Sequence, residues 1–256
     1  MTPNPSSVLR PLAALGRSAL RLVLPPRCLS CAALVGQPGG LCAICFSDLP
    51  LIAKPVCERT GKPLAYDLGG AFTSAEALAD PPLYNRMRSA ARYEGTAARL
   101  VNAFKYHDRL ELALPLARHM VRAGKDILNE TDILVPVPLH RHRLFERRFN
   151  QSAELAKSIA RLSGKPLALQ ALVRIRATEQ QARLDAAARR TNVEGAFRVA
   201  ADQSAEIRGR RVTLIDDVVT TGATITACVR ALLREKCQSV DVLTFAKVVE
   251  PWSNGL

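Results

Sequence analysis

The stretch VTLIDDVVTTGAT runs from Val212 to Thr224. Val212–Ile215 is apolar and β-branched enough to read as a buried strand. Such a strand carries the chain to its C-terminal edge, where open α/β sheets bind their ligands. Asp216 and Asp217 would stand there side by side. The turn Val218–Thr224 then opens a helix, and its glycine and hydroxyl residues offer N–H and O–H donors to a phosphate. Gly222 allows the backbone to approach closely. The acids would face a hydroxylated group or a cation, and a sugar phosphate meets both demands. As an ordinary polar cap, two carboxylates at a buried edge would be costly. The chain has no GxxxxGK[ST], so this is not a Walker loop.

Outward from this stretch, the chain alternates strand-like and helix-like segments from Arg88 onward. Residues 89–95 (SAARYEG), 132–139 (DILVPVPL), 166–175 (PLALQALVRI), 195–200 (GAFRVA), 209–216 (GRRVTLID) and 239–249 (SVDVLTFAKVV) read as strands. Residues 96–107, 110–124, 150–164 and 221–236 read as helices. The third of these starts at Asn150 as N-cap, turns Ala153, Leu155, Ala156, Ile159 and Leu162 inward, and ends at Gly164. Buried strands alternating with helices predict a parallel sheet covered on both faces.

The cysteines define a second region. Cys28-x2-Cys31 and Cys42-x2-Cys45 form two knuckles, and two thiolate pairs complete a tetrahedral sulfur shell suited to Zn²⁺. Such a site has no open position, so its zinc is structural and helps fold a segment too small for its own core. Cys57 begins what looks like a third knuckle, but Thr60 stands where its second cysteine would be; Cys57 is the alternative fourth ligand. Cys228 and Cys237 read as core thiols of a reducing cytosol. Residues 67–83 are small and contain Pro and Gly, as a linker or the edge of the small domain would. The expected organisation is an N-terminal helix over 1–24, a zinc-binding domain over 25–66 and an α/β domain over 84–256.

Residues 1–47 contain no Asp or Glu. Their first part reads as a short amphipathic helix packed on its own domain, with an Arg-rich targeting presequence as the alternative. No apolar run reaches the roughly 18 residues of a membrane span. The formal net charge of +13 suits either an Arg-rich surface or an anionic partner, meaning phosphate compounds or nucleic acid.

Read whole, Val212–Thr224 resembles the 5-phosphoribosyl-1-pyrophosphate (PRPP) motif of type I phosphoribosyltransferases. Residues 103–109 (AFKYHDR), 135–156 (VPVPLHRHRLFERRFNQSAELA) and the Arg-rich 174–197 narrow the resemblance to the ComF family, including ComFC and GntX-like proteins. Members of that family join an N-terminal zinc-binding segment to a phosphoribosyltransferase domain. The resemblance covers roughly residues 25–250. Two departures stand out: the incomplete knuckle at Cys57, and His107–Asp108 where a glycine is common.

The resemblance implies that Asp216 and Asp217, the catalytic pair, bind the ribose hydroxyls. Thr220, Thr221, Gly222, Ala223 and Thr224 would cradle the 5′-phosphate, with Mg²⁺ accompanying PRPP. Leu139, His140 and Arg141 would form the pyrophosphate loop, Arg141 by a charge-assisted fork. Lys105 is a weaker candidate for the pyrophosphate, and Lys247 for an acceptor base. Thr178–Asn192 would be a flexible lid, with Gln180, Gln181, Arg189 and Asn192 as contacts, and Trp252 either stacks on a base or packs in the core. Two functions follow. One is a cytoplasmic factor of DNA uptake in natural transformation, handling single-stranded DNA beside a competence helicase, with Arg143, Arg147 and Arg148 toward the nucleic acid. The other is a pentosyl transferase that moves phosphoribose from PRPP to a nitrogen acceptor.

Overall fold

A computed structural model of the chain describes residues 25–67, 69–106, 109–139, 149–175 and 195–249. The chain divides into two compact units, Met1–Asp48 and Leu49–Leu256. Residues 49–66, grouped with the zinc-binding segment on sequence, lie in the second unit.

In the first unit, Arg27 and Leu34 form an antiparallel bridge, and the turn between them is closed by Cys28 N–H on Ala33 O at 2.7 Å. Helix α1 (Ala43–Ser47) follows, with Cys42 as its N-cap. Both knuckles are thus tight turns that bring cysteines three residues apart to the same side.

The second unit begins with a ribbon-like segment and helix α2 (Ala75–Ala79). Then come β1 (Met87–Arg92), α3 (Gly95–Tyr106), α4 (Ala113–Ala123), α5 (Lys125–Glu130) and β2 (Ile133–Pro136). Next are α6 (Gln151–Ser163), β3 (Leu172–Arg174), β4 (Phe197–Val199), α7 (Ser204–Ile207), β5 (Arg211–Val219), α8 (Ala223–Arg234) and β6 (Ser239–Lys247). Among the described residues, β1, β6, β5 and β2 form a four-stranded sheet in that order, every pair parallel. Its two faces are covered separately, because alternate residues of a strand point to opposite sides. Val240 and Val242 join Ile225, Val229 and Leu232 of α8 in the buried core. Phe245 points the other way, edge-on to His119 of α4 with ring centroids 6.5 Å apart.

Both sheet edges are paired. Along β1, Ile52 N–H donates to Ala90 O at 2.9 Å, Arg92 N–H to Pro50 O at 2.9 Å and Met87 N–H to Arg59 O at 2.8 Å. Gly61 is required there: its φ is +63°, and a Cβ would run into the Met87 carbonyl. Along β2, Leu134 bridges Leu167 in parallel.

The parallel α/β reading holds, with four corrections. The strand carrying the acids runs on through Val219 instead of giving way to a turn at Val218, because Val218 and Val219 keep pairing with Ala246 and Lys247. Residues 110–124 split into a 3-10 turn over Leu110–Leu112 and α4. The strands at 172–174 and 197–199 leave the parallel sheet and pair antiparallel with each other. Finally, Leu162 lies exposed although it shares a face of α6 with the buried Gln151, Leu155 and Ser158; it falls in the last turn, which emerges into solvent with Arg161.

Candidate functional site

Strand β5 delivers the two acids to its C-terminal end, and two other elements meet them there. Asp217 is 5% exposed, and the Lys105 ammonium in the last turn of α3 lies 3.1 Å from its Oδ1. Asp216 Oδ1 accepts from the Ser152 hydroxyl at 2.8 Å and from the backbone N–H of Asp217 at 2.9 Å. Burial, reinforced by the Asp217 charge, pushes the Asp216 carboxyl up to about 7, while Lys105 and the Ser152 hydrogen bond hold it down. The two carboxylates are thus held differently, Asp216 by a hydroxyl and Asp217 by an ammonium.

The start of α6 organises this corner. Asn150 caps the helix, its Oδ1 accepting from Ser152 N–H at 3.1 Å. Its amide nitrogen donates to Val137 O at 3.0 Å, tying the cap to the loop after β2. Gln151, 1% exposed, reaches the Lys105 carbonyl at 3.5 Å. Each residue of Asn150–Ser152 thus fixes a different neighbour of the site. The cap was legible in sequence. Ser152 was missed, because a serine in a first helical turn carries no signal until its cross-chain partner is known.

After Val219 the chain turns sharply. Thr220 and Thr221 are exposed, Gly222 adopts φ +78° as the N-cap of α8, and Ala223 is buried beneath it. The exposed Thr220 and Thr221 and the start of α8 stand directly beyond the acids, an arrangement that can receive an anion beside a carboxylate pair. The carboxylates suit hydroxyls and a hard cation: Mg²⁺ commonly takes one or two carboxylates and fills its remaining positions from ligand oxygens and water. Leu139 follows β2, the strand adjacent to β5; Val137 N–H still bonds Ile215 O at 2.9 Å, so the chain leaves the sheet beside Asp216. His140 and Arg141 lie outside the described residues, as do residues 1–24, Arg143, Arg147, Arg148, Thr178–Asn192 and Trp252.

Lys247 sits opposite Val219 in the strand register. Its ammonium does not turn to the acids; it donates to the Thr60 carbonyl at 2.8 Å. Below the site, Cys228 is fully buried, and burial together with the Asp216 charge pushes its thiol well above the ordinary range. It is a neutral core group, as read from sequence.

In the first unit, the Sγ atoms of Cys28, Cys31, Cys42 and Cys45 all lie within 4.8 Å of one another. Cys31 and Cys42 sulfurs are 3.6 Å apart, close to the ~3.8 Å edge of a tetrahedron with Zn–S bonds of about 2.3 Å. Backbone N–H groups of Ser30 and Cys42 point at Cys28 Sγ at 3.4 and 3.3 Å, as is needed to support thiolate charge. The donor set fits zinc. Cys57 is not part of the cluster.

Comparisons with known proteins agree with this architecture. A family described as "Double zinc ribbon domain" matches residues 19–77, and one described as "Phosphoribosyl transferase domain" matches residues 150–254. The chain is 30% identical over 227 residues to DNA utilization protein YhgH of Salmonella typhimurium, covering 86% of this chain and 96% of that protein. It is 28% identical to competence protein F of Haemophilus influenzae, over 86% of this chain and 96% of that one. It is also 28% identical to competence protein ComFC of Bacillus subtilis, over 81% and 83% respectively. Among the described residues, no helix is long and apolar enough to cross a membrane. A four-cysteine ribbon preceding a parallel α/β unit, together with relatives that match along nearly their whole length, establishes that the chain belongs to the ComF family.

Proposed function

We propose that the chain binds PRPP with Mg²⁺ at the C-terminal end of β5 and acts in DNA uptake, as a cytosolic factor handling incoming single strands. The observation that carries the ligand assignment is the asymmetric carboxylate pair beside the open Thr220–Gly222 turn, with Ser152 on Asp216 and Lys105 on Asp217. Asp216 and Asp217 would receive the ribose 2′- and 3′-hydroxyls, and Thr220–Thr224 the 5′-phosphate. Leu139, His140 and Arg141 would take the pyrophosphate. The DNA role is supported by the names of the relatives and by the net charge of +13. Calorimetric titration of PRPP in the presence of Mg²⁺ tests the site. Asp216→Ala combined with Asp217→Ala should abolish binding, and unchanged affinity in that double variant removes the assignment.

A second reading is supported by Lys105. Its ammonium stands beside the acids, where charge would develop on a departing pyrophosphate. In that reading the chain transfers phosphoribose to a nitrogen nucleophile, displacing Mg²⁺-bound pyrophosphate from ribose C1. A pyrophosphate-release screen across bases and amines distinguishes an enzyme from a protein that only binds PRPP.

A further inference from the structure

A double zinc ribbon implies two metal sites, and this chain supplies donors for one. Residues 46–77 contain a single cysteine, Cys57, and no histidine, whereas a structural zinc takes four ligands. The nearby acids are engaged elsewhere. Glu58 pairs with Arg88 at 2.7 Å, Glu76 with Lys62 at 3.0 Å, and Asp67 accepts from Gly69 N–H at 3.0 Å. Thr60 occupies the second knuckle position, and its hydroxyl accepts from Lys62 N–H at 3.4 Å.

The knuckle nevertheless keeps its shape. Cys57 N–H bonds Lys62 O and Gly61 N–H bonds Cys57 O, both at 2.8 Å. Cys57 is 0% exposed, and Ser74 N–H points at its sulfur at 3.3 Å, closing the second arm of the ribbon onto the first. Against burial, which opposes it, the contacts from Ser74 and Thr60 bring the Cys57 thiol down to about 7. A cation approaches from the sheet: Lys247 Nζ donates to Thr60 O at 2.8 Å and lies 3.8 Å from Met87 Sδ. Burial pulls this ammonium down to about 8, and the Cys57 charge helps to hold it up. A buried cation is expensive unless polar partners surround it. Here the polar partner is the Thr60 carbonyl of the knuckle.

We propose that the second ribbon binds no metal and that the Lys247 ammonium takes the metal's structural place, fastening the Cys57–Gly61 knuckle to the end of β6. The first ribbon closes on zinc, and the second closes on a lysine of the sheet it lies against. Lys247 then serves as a strut rather than as a contact to an acceptor base.

Three measurements on the full chain test this. Metal analysis after dialysis against excess zinc should give about one zinc per chain; two would overturn the proposal. Reductive methylation of the native wild-type protein, read by mass spectrometry, should label the exposed Lys54 and Lys125 and spare Lys247 until the protein is denatured. Labelling of Lys247 at the rate of those lysines would overturn it, and this reading needs no variant to fold. Lys247→Met should speed iodoacetamide alkylation of Cys57 by about tenfold or more, the effect of losing one charged hydrogen bond, with the zinc count unchanged. An unchanged alkylation rate in a folded Lys247→Met protein would also overturn it.

Discussion

The Ser152 hydroxyl donates to Asp216 Oδ1 at 2.8 Å, so the first turn of one helix orients a carboxylate at the end of a strand 64 residues away. Hydrogen bonding to the charged form of an acid favours that form. Removing the hydroxyl should therefore raise the Asp216 carboxyl above its already elevated value of about 7. Ser152→Ala should weaken PRPP binding at pH 7 by about 1.5 kcal/mol, roughly tenfold. Calorimetry at pH 7 and pH 9 checks this; the deficit should shrink at the higher pH, whereas a purely steric defect would persist.

The same carboxyl predicts a pH dependence. Its folded value of about 7 lies above the ordinary 3.8, so folding favours its protonated form. The stability this contributes is present in full below about pH 4 and is lost as pH rises through about 7. PRPP and Mg²⁺ call for the ionised form, so affinity should rise between pH 6 and pH 8. Asp216→Asn should flatten the thermal-stability profile over that range and make the protein more stable than wild type at pH 8, at the expense of binding. Identical pH profiles for variant and wild type would contradict the assignment.

Lys105 and Asp217 form a pair in which each side chain is under one-fifth exposed. Removing one partner leaves the other charge buried and uncompensated. Lys105→Met should destabilise the fold by roughly 3 kcal/mol, and adding Asp217→Asn should recover most of that loss. Denaturant melts of both variants decide it.

Zinc should follow the cysteine geometry. Cys31→Ser or Cys42→Ser should lose the metal and aggregate, because four sulfurs within 4.8 Å need all four to close a tetrahedron. Cys57→Ser should retain the full zinc content in metal analysis.

Single-stranded DNA should bind with little sequence preference and a steep salt dependence, with a log–log slope of about −0.7 per phosphate contact. Arg147→Ala with Arg148→Ala should reduce that slope by about one to two contacts' worth. Arg141→Ala should impair PRPP binding more than DNA binding. Fluorescence anisotropy across a salt series separates the two arginine groups.

Much of this was written locally. The apolar strand before Asp216, the Asn150 cap and the two zinc knuckles each rest on residues within a few positions of one another, and local pattern suffices for such features. What could not be read depends on partners far apart in the chain. Lys105 meets Asp217 across 112 residues, and Lys247 meets Thr60 across 187. Leu162 fits the apolar spacing of α6 and shares a face with the buried Gln151 and Leu155, yet it is exposed with Arg161 because the last turn of the helix emerges into solvent. The acids themselves hid the last part of β5: Asp is a poor strand former, so the local pattern stops at Ile215 although the strand continues to Val219.

The residues along the outer side of β1 make the ribbon segment and the sheet inseparable as pieces of protein. Pro50, Ile52 and Arg59 occupy backbone groups that a chain beginning at Tyr84 would leave bare. An unpaired parallel edge is a template for another copy of itself, so the isolated C-terminal portion should self-associate through β1 during expression. Gene fusions or domain swaps that cut between Asp48 and Tyr84 carry the same hazard. The viable point of division is the one at Asp48, which leaves the edge its own covering segment.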